Sequence, residues 1–237
     1  MSQPENLSAG GYPDAIVWDL DGTLVESAAD LATALNALLN EQGQMGHEVS
    51  KVRPMIGHGV AKLIKRGFRA SGAPLDQQAV DALVPRFMDI YTACCTENTC
   101  LVENARDVLK HFYHAGIKQG LCTNKPISVT RMIVNALDIK GYFGSVIGGD
   151  STSAKKPDPL PLLTCLDELG SRPEDALMIG DSGADVGAAR AAKVPVILVP
   201  DGYTGVPAVS LGADYVVGRL ADIPGSIPPH PPLRRSA

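Results

Sequence analysis

Two carboxylates separated by one residue, Asp19 and Asp21, follow directly on a short apolar run, Ala15-Ile-Val-Trp18. Valine, isoleucine and tryptophan in a run of this length are typical of a buried strand. Aspartate is uncommon inside strands, so we expect the pair where the strand opens into a loop. Open α/β sheets bind their ligands at the carboxyl ends of strands, which makes this pair a candidate reaction centre.

Three further polar groups lie after later apolar runs or in the connecting loops. They are Thr123-Asn124, Lys156 within a Lys-Lys-Pro segment, and Asp181-Ser182 followed by Asp185. In a parallel sheet such groups converge on one crevice. Carboxylates without histidine or cysteine companions suit a hard cation such as Mg²⁺, whereas a lysine and a hydroxyl suit an anion. A phosphoryl group would bridge these two kinds of partner.

Such a collection of residues predicts phosphoryl transfer through a covalent intermediate. A carboxylate can attack phosphorus to give an aspartyl-phosphate, which splits one difficult displacement into two easier steps. A second aspartate can donate a proton to the leaving oxygen and later take one from the hydrolytic water. Mg²⁺ and a lysine would offset the repulsion between the attacking carboxylate and the phosphoryl oxygens.

The elements that would position these groups alternate between helices and strands from residue 101 onward. Apolar runs typical of strands lie at 117–122, 145–147, 176–179, 194–199 and 214–217, with helical patterns between most of them. This alternation predicts an α/β fold, a Rossmann-like parallel sheet with helices on both faces. Residues 27–100 show helical periodicity alone, so we expect an α-helical insertion directly after the first strand.

We therefore expect an α/β core of residues 1–26 and 101–222, interrupted by a helical domain of residues 27–100. Ser27-Ala-Ala-Asp30 is similar to a capping box at the start of the first inserted helix. The proline content of residues 223–237 predicts a disordered tail, and the polar and glycine residues of segment 1–12 predict a loose terminus.

Composition argues against several classes of protein. The net charge is −5 and the chain has no long basic run, only pairs such as the terminal Arg234-Arg235, so nucleic-acid or anionic-membrane binding has little support. No apolar stretch approaches the roughly 20 residues of a membrane span, and residues 1–13 lack the features of a signal peptide. We expect a cytoplasmic protein whose five irregularly spaced cysteines are free thiols. The oligomeric state is left open.

Four motifs together resemble those of the haloacid dehalogenase superfamily. Asp19-Leu-Asp21-Gly-Thr23, Thr123-Asn124, Lys156-Pro157 and Gly180-Asp181-Ser182-x2-Asp185 occur in the order and at the intervals of that family. The resemblance covers residues 14–220, nearly the whole chain. It implies a Rossmann-like core with an inserted helical cap that closes over the site and excludes water.

The resemblance also implies a role for each motif residue. Asp19 would be the nucleophile and Asp21 the general acid/base. The other implied roles are phosphate binding by Thr123, the Asn124 backbone and Lys156; Mg²⁺ binding by Asp19, the Asp21 carbonyl and Asp181; orientation of Lys156 or a metal-bound water by Asp185; and support from Thr23 and Ser182. Lys155 is a competing candidate for the phosphate contact.

Three segments look most like the phosphoglycolate phosphatases within this superfamily. They are Arg53-Pro-Met-Ile-Gly57-His58-Gly59, Thr123-Asn-Lys-Pro126 and Asp201-Gly-Tyr203-Thr-Gly205. This resemblance implies hydrolysis of a small phosphorylated metabolite, 2-phosphoglycolate, to glycolate and phosphate. Arg53, the Gly57 and Gly59 amides, and His58 are then candidates to hold the substrate carboxylate.

Several alternatives stay open beside this hypothesis. The protein could act on another small phosphorylated metabolite, or be a phosphomutase similar to β-phosphoglucomutase that returns the phosphoryl group to its product. Hydrolytic dehalogenation without Mg²⁺ and a non-catalytic binding module are further alternatives. Three departures from the family pattern lie outside the catalytic set: Glu26 in place of aspartate, Asn104 in place of a Pro-Gly pair, and Trp18 in place of phenylalanine. Asparagine tolerates a left-handed backbone.

Overall fold

The computed structural model describes residues 12–200 and 202–227. Its strands are β1 Ala15–Trp18, β2 Val25–Glu26, β3 Cys100–Leu101, β4 Lys118–Cys122, β5 Ser145–Ile147, β6 Ala176–Gly180, β7 Val196–Leu198 and β8 Tyr215–Val216. Its helices are α1 Ala28–Glu41, α2 Val49–Val52, α3 Val60–Ala70, α4 Gln77–Cys94, α5 Ala105–His114, α6 Ile127–Ala136, α7 Leu160–Leu169, α8 Gly183–Ala192 and α9 Ile223–Ser226. The predictions of a loose amino terminus at 1–11 and of disorder at 228–237 lie outside the described residues, as does Asp201.

Six parallel strands form the main sheet, in the order β5-β4-β1-β6-β7-β8. Strand β1 lies at the centre, where Trp18 pairs with Leu121 of β4 on one side and Ile179 of β6 on the other. The chain builds the sheet outward in both directions from β1, so the strand order reverses there. Such a reversal leaves a crevice at the carboxyl end of the central strand, which is where Asp19 follows β1.

Alternate residues of β1 face opposite layers of the molecule. Ile16 and Trp18 pack in one hydrophobic cluster with residues of α5 and α6, and Ala15 and Val17 pack in a second cluster with residues of α7 and α8. This period of two is what a strand buried on both faces requires. The predicted α/β class with helices on both faces is confirmed. Burial of both faces also fixes the register of β1, and with it the position of Asp19.

Helices α1 to α4 form the insertion between β2 and β3. The chain leaves and re-enters the core through these two short strands, which pair antiparallel, Val25 with Leu101 and Glu26 with Cys100. The helical periodicity predicted for this segment is confirmed, and the packed positions include Leu31, Leu35 and Leu38. Among the described residues, neither α4 nor any shorter helix has the length and apolar character to cross a bilayer.

The predicted capping box at Ser27 is wrong because both of its side chains bind elsewhere. The Ser27 hydroxyl donates to Asp21 Oδ1 at 2.5 Å. Asp30 is fully buried, and its Oδ2 accepts from the Thr99 N–H at 2.8 Å and from the Thr99 hydroxyl at 2.7 Å. Asp30 therefore joins the first inserted helix to the segment that returns to the core.

The prediction of a disordered tail from residue 223 is wrong for residues 223–227. Residues Ile223–Ser226 form α9, which packs against α5. Ile223 and Ile227, four positions apart, are both buried in the core cluster. Proline content suggested disorder, but Pro224 lies in the first turn of α9, where its missing N–H breaks no hydrogen bond.

Candidate active site

Three neighbouring strands of the sheet are each followed directly by a polar residue. Asp19 follows β1, Thr123 follows β4 and Asp181 follows β6. The Asp19 N–H still donates to the Ile179 carbonyl at 2.8 Å, and the Thr123 N–H donates to the Ile147 carbonyl at 3.0 Å. Sheet hydrogen bonds thus extend one residue beyond β1 and β4 and position the backbones of Asp19 and Thr123. The structure thus brings these three sequence-predicted residues together.

A buried acidic cluster lies at this edge of the sheet. Carboxylate oxygens of Asp19, Asp181 and Asp185 lie within 4.8 Å of one another. Burial raises the pKa of Asp19 to about 6, against the opposing attraction of Lys156. Burial and the nearby charge of Asp185 likewise raise the pKa of Asp181 well above its usual value. An all-oxygen donor set of this kind fits a hard divalent cation such as Mg²⁺.

Lys156 is the lysine of the Lys-Lys-Pro segment that enters the site, whereas Lys155 is exposed. Lys156 Nζ donates to Asp19 Oδ1 at 2.8 Å and to Asp185 Oδ1 at 2.6 Å, and also to the Cys122 carbonyl at 2.6 Å. Burial alone would lower the pKa of Lys156, but the attraction of Asp185 and Asp19 outweighs it and holds the pKa above its usual value. A permanent cation therefore lies between the two carboxylates.

Asp185 uses both of its carboxylate oxygens on protein donors. Its Oδ1 binds Lys156, and its Oδ2 accepts from the Ser182 N–H at 3.0 Å and from the Ser182 hydroxyl at 2.7 Å. The contact from the Ser182 N–H is one half of the capping box of α8, and the other half runs from the Asp185 N–H to the Ser182 side chain. In the described part of the chain, no hydrogen bond reaches Asp19 Oδ2 or Asp181 Oδ1. These two oxygens are therefore the ones available to a cation or a substrate.

The backbone approaches Asp181 at two glycines. A Cβ at Gly22 would lie 2.6 Å from Asp181 Oδ2, and one at Gly202 would lie 2.1 Å from it. Gly22 also has a φ of +86°, which disfavours any other residue. The same oxygen accepts from the Tyr203 N–H at 2.6 Å. The loop after β7 thus fixes the orientation of the Asp181 carboxylate.

Asp21 has a buried cation as its neighbour. Lys125 Nζ lies 2.8 Å from Asp21 Oδ1 and donates to the Tyr91 hydroxyl of α4 at 2.7 Å. Burial would lower the pKa of Lys125, but the attraction of Asp21 outweighs it and the pKa lies above its usual value. We did not predict Lys125 or Tyr91 as site residues. The signal for Lys125 was its place in the Thr123-Asn-Lys-Pro126 segment, and nothing local marked Tyr91.

The remaining motif residues lie around this centre with their own partners. The Thr123 hydroxyl oxygen accepts from the Lys125 N–H at 3.2 Å. The Asn124 side chain donates to the Lys156 carbonyl at 2.9 Å and to the Gly57 carbonyl at 3.2 Å, and so it bridges the core and the insertion. Thr23 Oγ1 is buried and has no hydrogen-bond partner within the described residues.

The insertion residues predicted to hold substrate separate into two groups. Gly57 and Gly59 line a cavity of about 40 Å³ that also borders Asp21 and Asn124. Arg53 does not line it, because its guanidinium pairs with Glu26 and lies 4.8 Å from the centre of the Tyr203 ring. His58 is exposed, with Nδ1 3.4 Å from Arg66, and also lies outside the lining.

This chain is similar to known proteins both in sequence and in structure. A family model described as haloacid dehalogenase-like hydrolase matches residues 16–199. A phosphoglycolate phosphatase of Caulobacter vibrioides is 40% identical, over 88% of this chain and 88% of its own. One of Rhodospirillum rubrum is 38% identical, over 89% of each chain. A crystal structure described as a predicted phosphoglycolate phosphatase from Haemophilus somnus superposes with a TM-score of 0.82 at 28% identity, covering 89% of this chain and 96% of that one.

Proposed function

The chain belongs to the haloacid dehalogenase-like hydrolase family and is a phosphatase, and from this premise we propose that it hydrolyses 2-phosphoglycolate to glycolate and phosphate with the aid of Mg²⁺. The observation that carries the proposal is the placement of Lys156 between Asp19 and Asp185, with Asp21 two residues beyond Asp19. Two relatives that are phosphoglycolate phosphatases support the choice of substrate, as does the small cavity beside Asp21.

In the proposed reaction Asp19 and Asp21 have different tasks. Asp19 Oδ2 would attack phosphorus and form an aspartyl-phosphate, while the bond from phosphorus to the ester oxygen breaks. Asp21 would give that oxygen its proton, so that glycolate leaves with a hydroxyl group. Asp21 would then take a proton from a water that attacks the aspartyl-phosphate, which releases phosphate and restores Asp19.

The phosphoryl oxygens and a cation would be held by the residues around this pair. Lys156, the Thr123 hydroxyl and the Asn124 backbone would bind the phosphoryl oxygens, and Asp185 would keep Lys156 in place. Asp19, Asp181 and the Asp21 carbonyl would hold Mg²⁺, a proposal that the acidic cluster supports. The bound ion would offset the negative charge that the phosphoryl group brings into the site.

We further propose that residues 27–100 act as a cap over the α/β core, of which residues 12–26, 101–200 and 202–227 are described. Two contacts support this division, from Asn124 to the Gly57 carbonyl and from Lys125 to the Tyr91 hydroxyl. Both join the loop after β4 to the insertion, at the site itself. A cap held there would exclude water from the reaction.

A phosphate-release screen over small phosphomonoesters, with Mg²⁺ and with EDTA, tests the proposed function. We expect kcat/KM for 2-phosphoglycolate to exceed that for phosphomonoesters with an uncharged alcohol part by about 100-fold or more, because those esters lack a carboxylate for the site to bind. Activity should vanish in EDTA. Preference for another ester would contradict the proposed substrate, and an isomerised product without free phosphate would indicate a mutase. Halide release from an added 2-haloacid in EDTA would indicate a dehalogenase, and no turnover of any substrate would indicate a binding module.

Mg²⁺ is expected to raise the melting temperature of the protein more at about pH 7.5 than at about pH 5. Asp19, with a pKa of about 6 against 3.8 in an ordinary environment, holds its proton more tightly in the folded chain. That proton-linked stability is fully present below 3.8 and is lost as the pH rises through about 6. At the higher pH, a bound cation would restore the lost stability, because it binds the carboxylates in their ionised form. Thermal melts with and without Mg²⁺ at both pH values measure the difference, and equal shifts would contradict the metal site.

A further inference from the structure

The cavity beside Asp21 lies between the loop after β4 and the helices of the insertion. Its apolar wall consists of Leu31, Ile56, Val60 and Leu63. Its volume of about 40 Å³ gives room for about three water-sized groups, since one water needs roughly 10–15 Å³. A two-carbon fragment fits such a space, whereas a sugar does not.

The position of Asp21 determines which part of the substrate would enter this cavity. A proton donor must lie within hydrogen-bond reach of the leaving oxygen. The phosphoryl group lies on the other side of that oxygen, toward Asp19 and Lys156, neither of which lines the cavity. The atoms beyond the leaving oxygen must therefore occupy the space that Asp21 borders.

Lys125 is the one cation among the described residues that line this cavity. Its side chain is 2% exposed, and its Nζ lies between Asp21 Oδ1 and the Tyr91 hydroxyl. That hydroxyl accepts from Lys125, which leaves its own hydrogen for a further acceptor. A carboxylate placed against an apolar wall without a cation would be strongly disfavoured. Lys125 and Tyr91 together offer the charge and the donor that it needs.

We propose that Lys125 Nζ and the Tyr91 hydroxyl form the subsite that binds the carboxylate of the substrate, an inference that rests on the proposed function. The substrate carboxylate would compete with Asp21 for Lys125 Nζ. Without substrate, Nζ lies 2.8 Å from Asp21 Oδ1. Loosening of that pair leaves Asp21, still bound by the Ser27 hydroxyl, to face the leaving oxygen. An acidic substrate thereby promotes its own turnover, and esters without a carboxylate do not.

The test compares 2-phosphoglycolate with 2-phosphoethanol, in which a hydroxymethyl group replaces the carboxylate. Lys125→Met is expected to lower the preference for 2-phosphoglycolate, as a ratio of kcat/KM values, by about 100-fold, because a charge-assisted contact is lost. Lys125→Arg should restore part of the ratio, and Tyr91→Phe should lower it by about fivefold. Lys110→Met, at an exposed position on α5, is the matched control and should keep the ratio of the wild type.

Inhibition by glycolate provides a binding readout that needs no proton transfer. Glycolate should inhibit the wild type competitively and Lys125→Met at least about tenfold more weakly, while inorganic phosphate inhibits both alike. If Lys125 only stabilises the fold, Lys125→Met should not weaken inhibition by glycolate more than inhibition by phosphate. If Lys125→Met does not fold, Lys125→Arg and Tyr91→Phe are measured in the same two assays.

The outcomes separate this inference from the proposed function. If the wild type does not prefer 2-phosphoglycolate over 2-phosphoethanol, the proposed substrate is wrong and the subsite is overturned with it. If the wild type shows the preference but Lys125→Met keeps both the ratio and the glycolate inhibition, the subsite alone is overturned. Equal losses on both esters, with glycolate inhibition retained, would also overturn it, because Lys125 would then act through Asp21.

Discussion

Asp19→Asn is expected to lower kcat for phosphate release by about 10⁴-fold or more, because the amide lacks the anionic oxygen that would attack phosphorus in the proposed reaction. The change keeps the size and shape of the side chain. Lys156 retains Asp185 and the Cys122 carbonyl as partners, so no buried cation is left alone. We therefore expect the melting temperature to change little, which assigns the loss to chemistry and not to folding.

A direct measurement of the covalent intermediate accompanies this prediction. Acid-quenched wild-type protein, mixed with substrate and Mg²⁺, should contain a population heavier by one phosphoryl group, and Asp19→Asn should contain none. Asp89→Asn, an exposed aspartate on α4, is the matched control and should behave as the wild type. Turnover by Asp19→Asn within about tenfold of the wild type, at equal stability, would show that another residue is the nucleophile.

Lys156→Met is expected to lower kcat/KM by about 10³-fold and to destabilise the fold by about 3–5 kcal/mol. The substitution removes the cation that lies within 2.8 Å of Asp19 and 2.6 Å of Asp185. Both carboxylates are buried and would be left with like charges beside them. We expect loss of activity because the phosphoryl oxygens would lose the cation that is proposed to bind them, and loss of stability because two buried carboxylates would lose their partner.

Urea unfolding and phosphate release on the same samples check both parts of this prediction. Lys155→Met is the matched control, since Lys155 is the adjacent lysine and is exposed. Its free energy of unfolding and its kcat/KM should stay near the wild-type values. Full activity of Lys156→Met together with an inactive Lys155→Met would reverse the assignment of the two lysines.

The strand pattern of the sequence was enough to predict which polar residues lie at the centre of the candidate site. A run buried on both faces must form a central strand, and the acidic pair after it must then lie at the edge of the sheet. The same reasoning places Thr123 and Asp181 after β4 and β6. Asn104 also has the left-handed conformation that its residue type tolerates, with a φ of 64°. These features depend on strand order and local backbone preference, which a sequence expresses directly.

Which side chains from distant segments come into contact depends on the tertiary structure. Lys125 reaches Tyr91 across 34 positions, and the Tyr203 hydroxyl accepts from the Ser27 N–H across 176. Arg53 binds Glu26 and lies outside the cavity beside Asp21. Such contacts depend on how the inserted helices dock on the sheet, and docking follows from packing over the whole interface, which no local pattern records. For this reason the candidate nucleophile, Asp19, could be predicted from the motifs, whereas the candidate partner of the substrate's carboxylate could not.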